Sequence, residues 1–142
     1  MDARLGSVMK NKKGEEFSMD HINKMQVIGL YFSASWCPPC RTFTEQLIPF
    51  YEEANKDGQK LEIVLVPFDK EEAKAAEYLA KMPWIGIPFG SPIVQKLSAE
   101  FQVNGIPKLI IFDTKGNVIS TDGRKDVMTN ENAMATWVAA AK

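Results

Sequence analysis

Both cysteines of this chain, Cys37 and Cys40, flank a pair of prolines, and they directly follow an apolar run. That run, Val27–Ser33 (VIGLYFS), has no polar alternation, as expected of a strand covered on both faces. After the first cysteine, Phe43, Leu47, Phe50 and Ala54 recur at helical spacing. Pro38 and Pro39 suit the first turn of such a helix, where a missing N–H costs nothing. The chain must therefore carry both thiols at a strand-to-helix junction, which favours an α/β arrangement.

Residue counts narrow the chemistry further. Two cysteines and one histidine make three soft ligands, one short of a structural zinc site, and no metal or other cofactor is expected. His21, the only imidazole, lies in a polar stretch without a neighbouring nucleophile and reads as a surface or boundary residue. Seventeen basic and eighteen acidic residues leave a net charge of −1, giving no electrostatic footprint for nucleic acid. No apolar run approaches the roughly 20 residues of a membrane helix, and the first residues lack the apolar stretch of a signal peptide. The expected compartment is the cytoplasm, with the nucleus as a second possibility. The 142 residues are expected to form one domain, 1–142, because the chain shows no repeat and no linker.

The remaining elements follow from local pattern. Ser7–Met9 and Glu16–Ser18, around Lys12-Lys13-Gly14, suggest an amino-terminal hairpin over about residues 6–18. A helix is expected from Pro38 to Ala54, kinked at Pro49, whose ring nitrogen cannot bond to the Glu45 carbonyl. Leu61–Phe68 reads as a second buried strand and Lys70–Lys81 as a helix. Met82–Gly90, with two prolines and two glycines, reads as a loop. Pro92–Phe101 is a further helix, Leu109–Phe112 a strand, Val118–Ser120 its hairpin partner, and Asn130–Ala141 a last helix. The βαβ unit over 27–68 requires parallel strands, and the late hairpin adds antiparallel ones. The expected fold is a mixed central sheet with helices on both faces.

A Cys-x-x-Cys at a helix mouth has a specific use. Unpaired N–H groups and the helix dipole favour a thiolate there, and the thiolate is the attacking species in disulfide exchange. Cys37 should be exposed and attack a substrate disulfide. Cys40, one turn in, should be more buried and resolve the mixed disulfide. A metal clip would need two more ligands, and a static disulfide gives no reason for the position at the helix mouth beside Trp36. Trp36 itself reads as an exposed indole shielding the thiol. Arg41 can favour the thiolate or serve as a solvated charge. Because prolines offer no N–H, the thiolate gains few donors, so the pair should be reducing, at roughly −270 mV. Ile106-Pro107 precedes the strand Leu109–Phe112. General statistics favour a trans bond there, while a cis bond would free the Ile106 backbone to pair with an extended substrate.

WCPPC at such a junction, with GIP before a later strand, resembles the thioredoxin fold. SASWCPPCR, QLIPFYEE, FDKEE, YLAKMPWIGIPF and VNGIPKLIIFD are together similar to the tryparedoxin and nucleoredoxin branch, over about Gly29 to Trp137. The resemblance implies a thiol-disulfide oxidoreductase that reduces protein disulfides. Its implied partners are peroxiredoxins or glutathione-peroxidase-like peroxidases, and a thiol or reductase electron donor. A redox-switched adaptor is the alternative. Carried over by position, Cys37 is the nucleophile and Cys40 the resolving thiol. Trp36, Pro39, Ile106, a cis Pro107 and Arg124 then contact substrate. Tyr31 occupies the position of thioredoxin's buried Asp, so the proton of Cys40 needs another group or water as its carrier; Tyr31 is a candidate, though it reads first as a packed strand residue. Phe68-Asp69 stands for the Trp-Asp of tryparedoxin, and Lys108 for the usual Thr.

Overall fold

The structure, a computed structural model, describes Leu5 and residues 8–141. Within them the chain forms β1 (Met9–Lys10), β2 (Glu16–Phe17), α1 (Met19–Asn23), β3 (Val27–Ser33), α2 (Pro38–Ala54), β4 (Leu61–Pro67) and α3 (Glu72–Leu79). There follow β5 (Ile85–Gly86), α4 (Pro92–Glu100), β6 (Lys108–Phe112), β7 (Val118–Ser120), α5 (Gly123–Thr129) and α6 (Ala133–Ala140). The seven strands form one sheet in the order β2-β1-β5-β4-β3-β6-β7. β3 pairs in parallel with β4 and antiparallel with β6, so the strand that feeds the cysteines lies at the sheet centre. This is the mixed sheet with helices on both faces that the sequence implies.

Burial on both faces explains why β3 and β4 are apolar throughout. Ile28, Leu30 and Phe32 point to one face, with Val64, Val66, Ile110 and Phe112, where Ile22 of α1 and Leu97 of α4 cover them. Val27 and Tyr31 point to the other, with Ile63, Leu65 and Ile111, under Phe43 and Leu47 of α2, Tyr78 of α3 and Trp137 of α6. α2 runs as one helix through Pro49.

Three short elements depart from the sequence reading. α1 is a single turn capped by the Ser18 side chain and anchored by one buried residue, Ile22. β5 lies inside the expected 82–90 loop, its two residues pairing with β4 and β1. α5 begins at Gly123, and the following helix starts at Ala133, three residues later than expected. The amino-terminal hairpin is present as β1 paired antiparallel with β2, with Met9 opposite Phe17. Gly6 and Ser7 of the expected hairpin lie outside the described residues.

His21 does more than sit at a boundary. Its Nε2 lies 2.6 Å from Oε2 of Glu62, a buried carboxyl on β4. Tyr51 of α2 donates to the same carboxyl at 3.0 Å, as does the Ile63 backbone N–H at 3.0 Å.

Candidate active site

Cys37 is the N-cap of α2, and Pro38 and Pro39 fill its first helical positions. With no N–H from either proline, the first amide directed at the sulfur is that of Cys40, which donates to Cys37 Sγ at 3.3 Å. The helical ladder begins at once, since Arg41 N–H donates to the Cys37 carbonyl at 3.2 Å. Both cysteines are free thiols.

The loop from β3 to α2 is held from beneath by the end of β4. Asp69 accepts from the Ser35 N–H at 3.2 Å and from its hydroxyl at 2.5 Å. The Phe68 N–H donates to the Ser33 carbonyl at 2.9 Å. Trp36 lays its indole across this edge, with Nε1 donating to the Phe68 carbonyl at 3.3 Å and Lys70 Nζ 5.8 Å from its ring centroid. It remains 55% exposed, as the sequence suggested.

Cys37 departs from expectation. It is only 5% exposed, because Trp36 and the Ile106 segment flank it, and its thiol donates to the Ile106 carbonyl at 3.8 Å. The Ile106–Pro107 peptide is cis, as the family resemblance implied and general statistics did not. Pro107 is buried, Ile106 half-buried, and Pro39 exposed. Arg124, half-buried on α5, lines one cleft with Pro38, Pro39, Thr42 and Met128. Gly123 beside it packs against β6 so closely that a Cβ would lie 3.0 Å from the Leu109 carbonyl oxygen. All seven residues singled out from the sequence thus gather around the mouth of α2.

Cys40 is fully buried. Burial first, and its hydrogen bond with Cys37 second, push its thiol up to about 11, while the Ser33 hydroxyl and the Ala34 backbone oppose the shift. Behind it lies a group of hydroxyls of which sequence reasoning named only Tyr31. Tyr31 OH donates to the Cys40 carbonyl at 3.0 Å and sits 2.7 Å from Thr44 Oγ1. Thr44 also donates to that carbonyl at 2.8 Å, and lies 3.0 Å from Tyr78 OH. Tyr78 OH is 2.7 Å from Ser33 Oγ. Tyr31 and Tyr78 are both held above the ordinary tyrosine range, chiefly by burial, so both stay neutral hydroxyls. The only signal available in sequence was the polar Ser33 closing an otherwise apolar strand.

Comparison with known proteins agrees with this geometry. The profile of the thioredoxin-like family matches residues 23–118. Nucleoredoxin of Xenopus laevis is 43% identical over 71% of the chain, but the chain spans only 25% of its length. Tryparedoxin of Trypanosoma brucei brucei is 41% identical, covering 79% of each. Among solved structures, thioredoxin from Wuchereria bancrofti superposes with a TM-score of 0.83 at 38% identity, over 99% of this chain and 100% of that one. Tryparedoxin II complexed with glutathionylspermidine gives a TM-score of 0.79 at 32% identity, over 89% of this chain and 88% of that one. By sequence profile, by relatives and by fold, the chain belongs to the thioredoxin-like family, related to the nucleoredoxins and tryparedoxins.

Proposed function

We propose that the chain is a dithiol–disulfide oxidoreductase that reduces disulfides in other proteins. The observation that carries this reading is the disposition of the two thiols. Cys37 caps the helix with the Cys40 amide on its sulfur, and Cys40 is sealed behind it. The Cys37 thiolate attacks a substrate disulfide, forming a mixed disulfide and releasing one substrate thiolate. Cys40 then attacks Cys37 Sγ, the second substrate thiolate leaves, and the Cys37–Cys40 pair is oxidised as the substrate gains two electrons. Trp36, Pro39, Ile106, Pro107 and Arg124 form the rim that an incoming polypeptide meets. The Ile106 carbonyl can accept a hydrogen bond from an extended segment.

Peroxiredoxins and glutathione-peroxidase-like peroxidases are suitable substrate proteins. A small thiol is the donor class we favour, supported by the glutathionylspermidine complex of the related tryparedoxin II. A redox-switched adaptor is the second reading, favoured by the similarity to nucleoredoxin modules. Insulin reduction in dithiothreitol, followed by turbidity, separates the two. The reductase reading requires acceleration by the wild-type protein, and no acceleration rejects it. Equilibration of the pair against glutathione should return a potential near −270 mV, and a value near −120 mV would overturn the reducing assignment.

A further inference from the structure

A polypeptide held at Cys37 meets no free backbone donor on the proline side of the sulfur. Pro38 and Pro39 carry no N–H, and the Cys40 amide is bonded to Cys37 Sγ. Recognition on that side therefore falls to side chains. The cleft that opens there, about 370 Å³, lies between α2 and α5, and Pro38 and Pro39 join it to the substrate rim. Thr42 and Gln46, one turn apart, line it from α2, and Arg124 and Met128, also one turn apart, from α5. Met128 is 54% exposed. Among the described residues that line the cleft, Arg124 carries the only charge. The carboxylates closest to it in sequence are already engaged. Asp122 accepts from the Lys125 amide, and Asp126 from the Ser120 hydroxyl and the Trp137 indole. Among the described residues Arg124 has no ion-pair partner. Gly123, packed against the Leu109 carbonyl, fixes this end of α5 to β6 and holds the guanidinium's helix in place.

We propose that the α2–α5 cleft is a docking site for the oxidised protein substrate, taking an apolar side chain against Pro38, Pro39 and Met128 and an acidic one against Arg124. This rests on the reading of the chain as a reductase of protein disulfides. Charge decides the acidic partner, since the cleft presents a guanidinium and no carboxylate. Continuity decides which part of the substrate enters. Pro39 and Arg124 belong to both rim and cleft, so the entering side chains are those next to the reacting cysteine in the substrate's own sequence. Methionine and arginine are both enriched at protein interfaces, and the unbranched methionine side chain adapts to apolar partners of different shape. A small disulfide has no neighbouring residues to place there. The cleft therefore favours protein disulfides over small ones, while the cysteines themselves act on both.

Short peptides, each joined through a single cysteine to thionitrobenzoate, test the site in the whole reduced chain. The Cys37 thiolate attacks the peptide sulfur, and thionitrobenzoate, the better leaving thiolate, departs and is followed by its absorbance. Three flanks are compared, each placed before or after the cysteine: two alanines, leucine with glutamate, and leucine with lysine. On one side of the cysteine the leucine–glutamate peptide should react about tenfold faster than the alanine peptide, as partial burial of one apolar side chain beside a charge partner supplies. The leucine–lysine peptide should be several-fold slower than leucine–glutamate, with added salt narrowing that gap. Met128→Glu should bring the leucine–glutamate peptide close to the alanine rate, each taken relative to 5,5′-dithiobis(2-nitrobenzoate), which has no flanking residues. Gln46→Glu, an exposed change on the α2 wall, should lower the same ratio and decides the matter if the Met128 variant does not fold. Equal rates for all flanks, no preference for glutamate over lysine, or an advantage that survives both substitutions overturns the docking site. A wild-type protein that keeps the peptide attached, instead of releasing it as Cys40 closes the internal disulfide, would overturn the reductase reading on which it rests.

Discussion

Replacing Cys37 with serine should bring insulin-disulfide reduction down to the uncatalysed background, while Cys40→Ser should leave the protein covalently attached to its substrate. The two outcomes differ because the sulfurs occupy different positions. Cys37 lies beside the Ile106 carbonyl at the helix mouth, where an incoming sulfur can line up with it. Cys40 has no exposure at all, so a substrate disulfide cannot reach it. Without Cys37 there is no attack. Without Cys40 the attack occurs but no internal thiolate displaces the substrate, and the mixed disulfide accumulates. Non-reducing gels would show the adduct as a band that disappears with dithiothreitol. Serine is close to cysteine in size, so both variants should melt close to wild type. Cys37→Ser with undiminished turnover would place the chemistry elsewhere.

His21→Ala should cost about 2 kcal/mol of folding stability, because it takes a hydrogen-bond partner from a buried carboxyl. The loss falls on Glu62, which is 2% exposed and would keep Tyr51, Gln59 and the Ile63 amide but lose its 2.6 Å partner. Burial raises the Glu62 carboxyl above its ordinary 4.5, and His21 is the strongest influence pulling it back. A carboxyl raised in the fold contributes stability fully below its unfolded value and loses it as pH rises through the folded value. Removing His21 raises it further and widens that window. The gap between variant and wild type should therefore be larger at pH 7 than at pH 4. Urea unfolding at both values measures it. A gap below about 1 kcal/mol, or one equal at both pH values, would show that the imidazole does not stabilise the carboxylate.

The sequence was legible where one residue's neighbours decide its environment. Val27–Ser33 and the Phe43-Leu47 stripe announce a central strand and a covering helix, because burial on two faces and on one stripe leave distinct patterns. Cys37, Cys40, Trp36 and Pro39 were legible because they are contiguous at the helix mouth. The short elements were not. α1 buries Ile22 alone, β5 consists of two residues, and α5 opens on a glycine that general propensity counts against a helix. The hydroxyls behind Cys40 were hidden for another reason. Ser33, Thr44 and Tyr78 come from β3, α2 and α3, and nothing local in the chain says that Tyr78 will reach back 45 residues to Ser33. His21 was underread likewise, since its partner lies 41 residues away. The near-complete burial of Cys37 depends on the Ile106 segment, 69 residues on, closing over it.

The two prolines that open α2 leave its mouth with an uneven face. An ordinary helix start offers an approaching chain several unspent amides, a general invitation to any carbonyl or carboxylate. Here Pro38 and Pro39 have none to offer, and the Cys40 amide is already committed to the Cys37 sulfur. On that side a visitor meets only ring methylenes, while across the sulfur it meets the Ile106 carbonyl. For the protein substrate proposed above, such a mouth would offer backbone hydrogen bonding from one edge and none from the other.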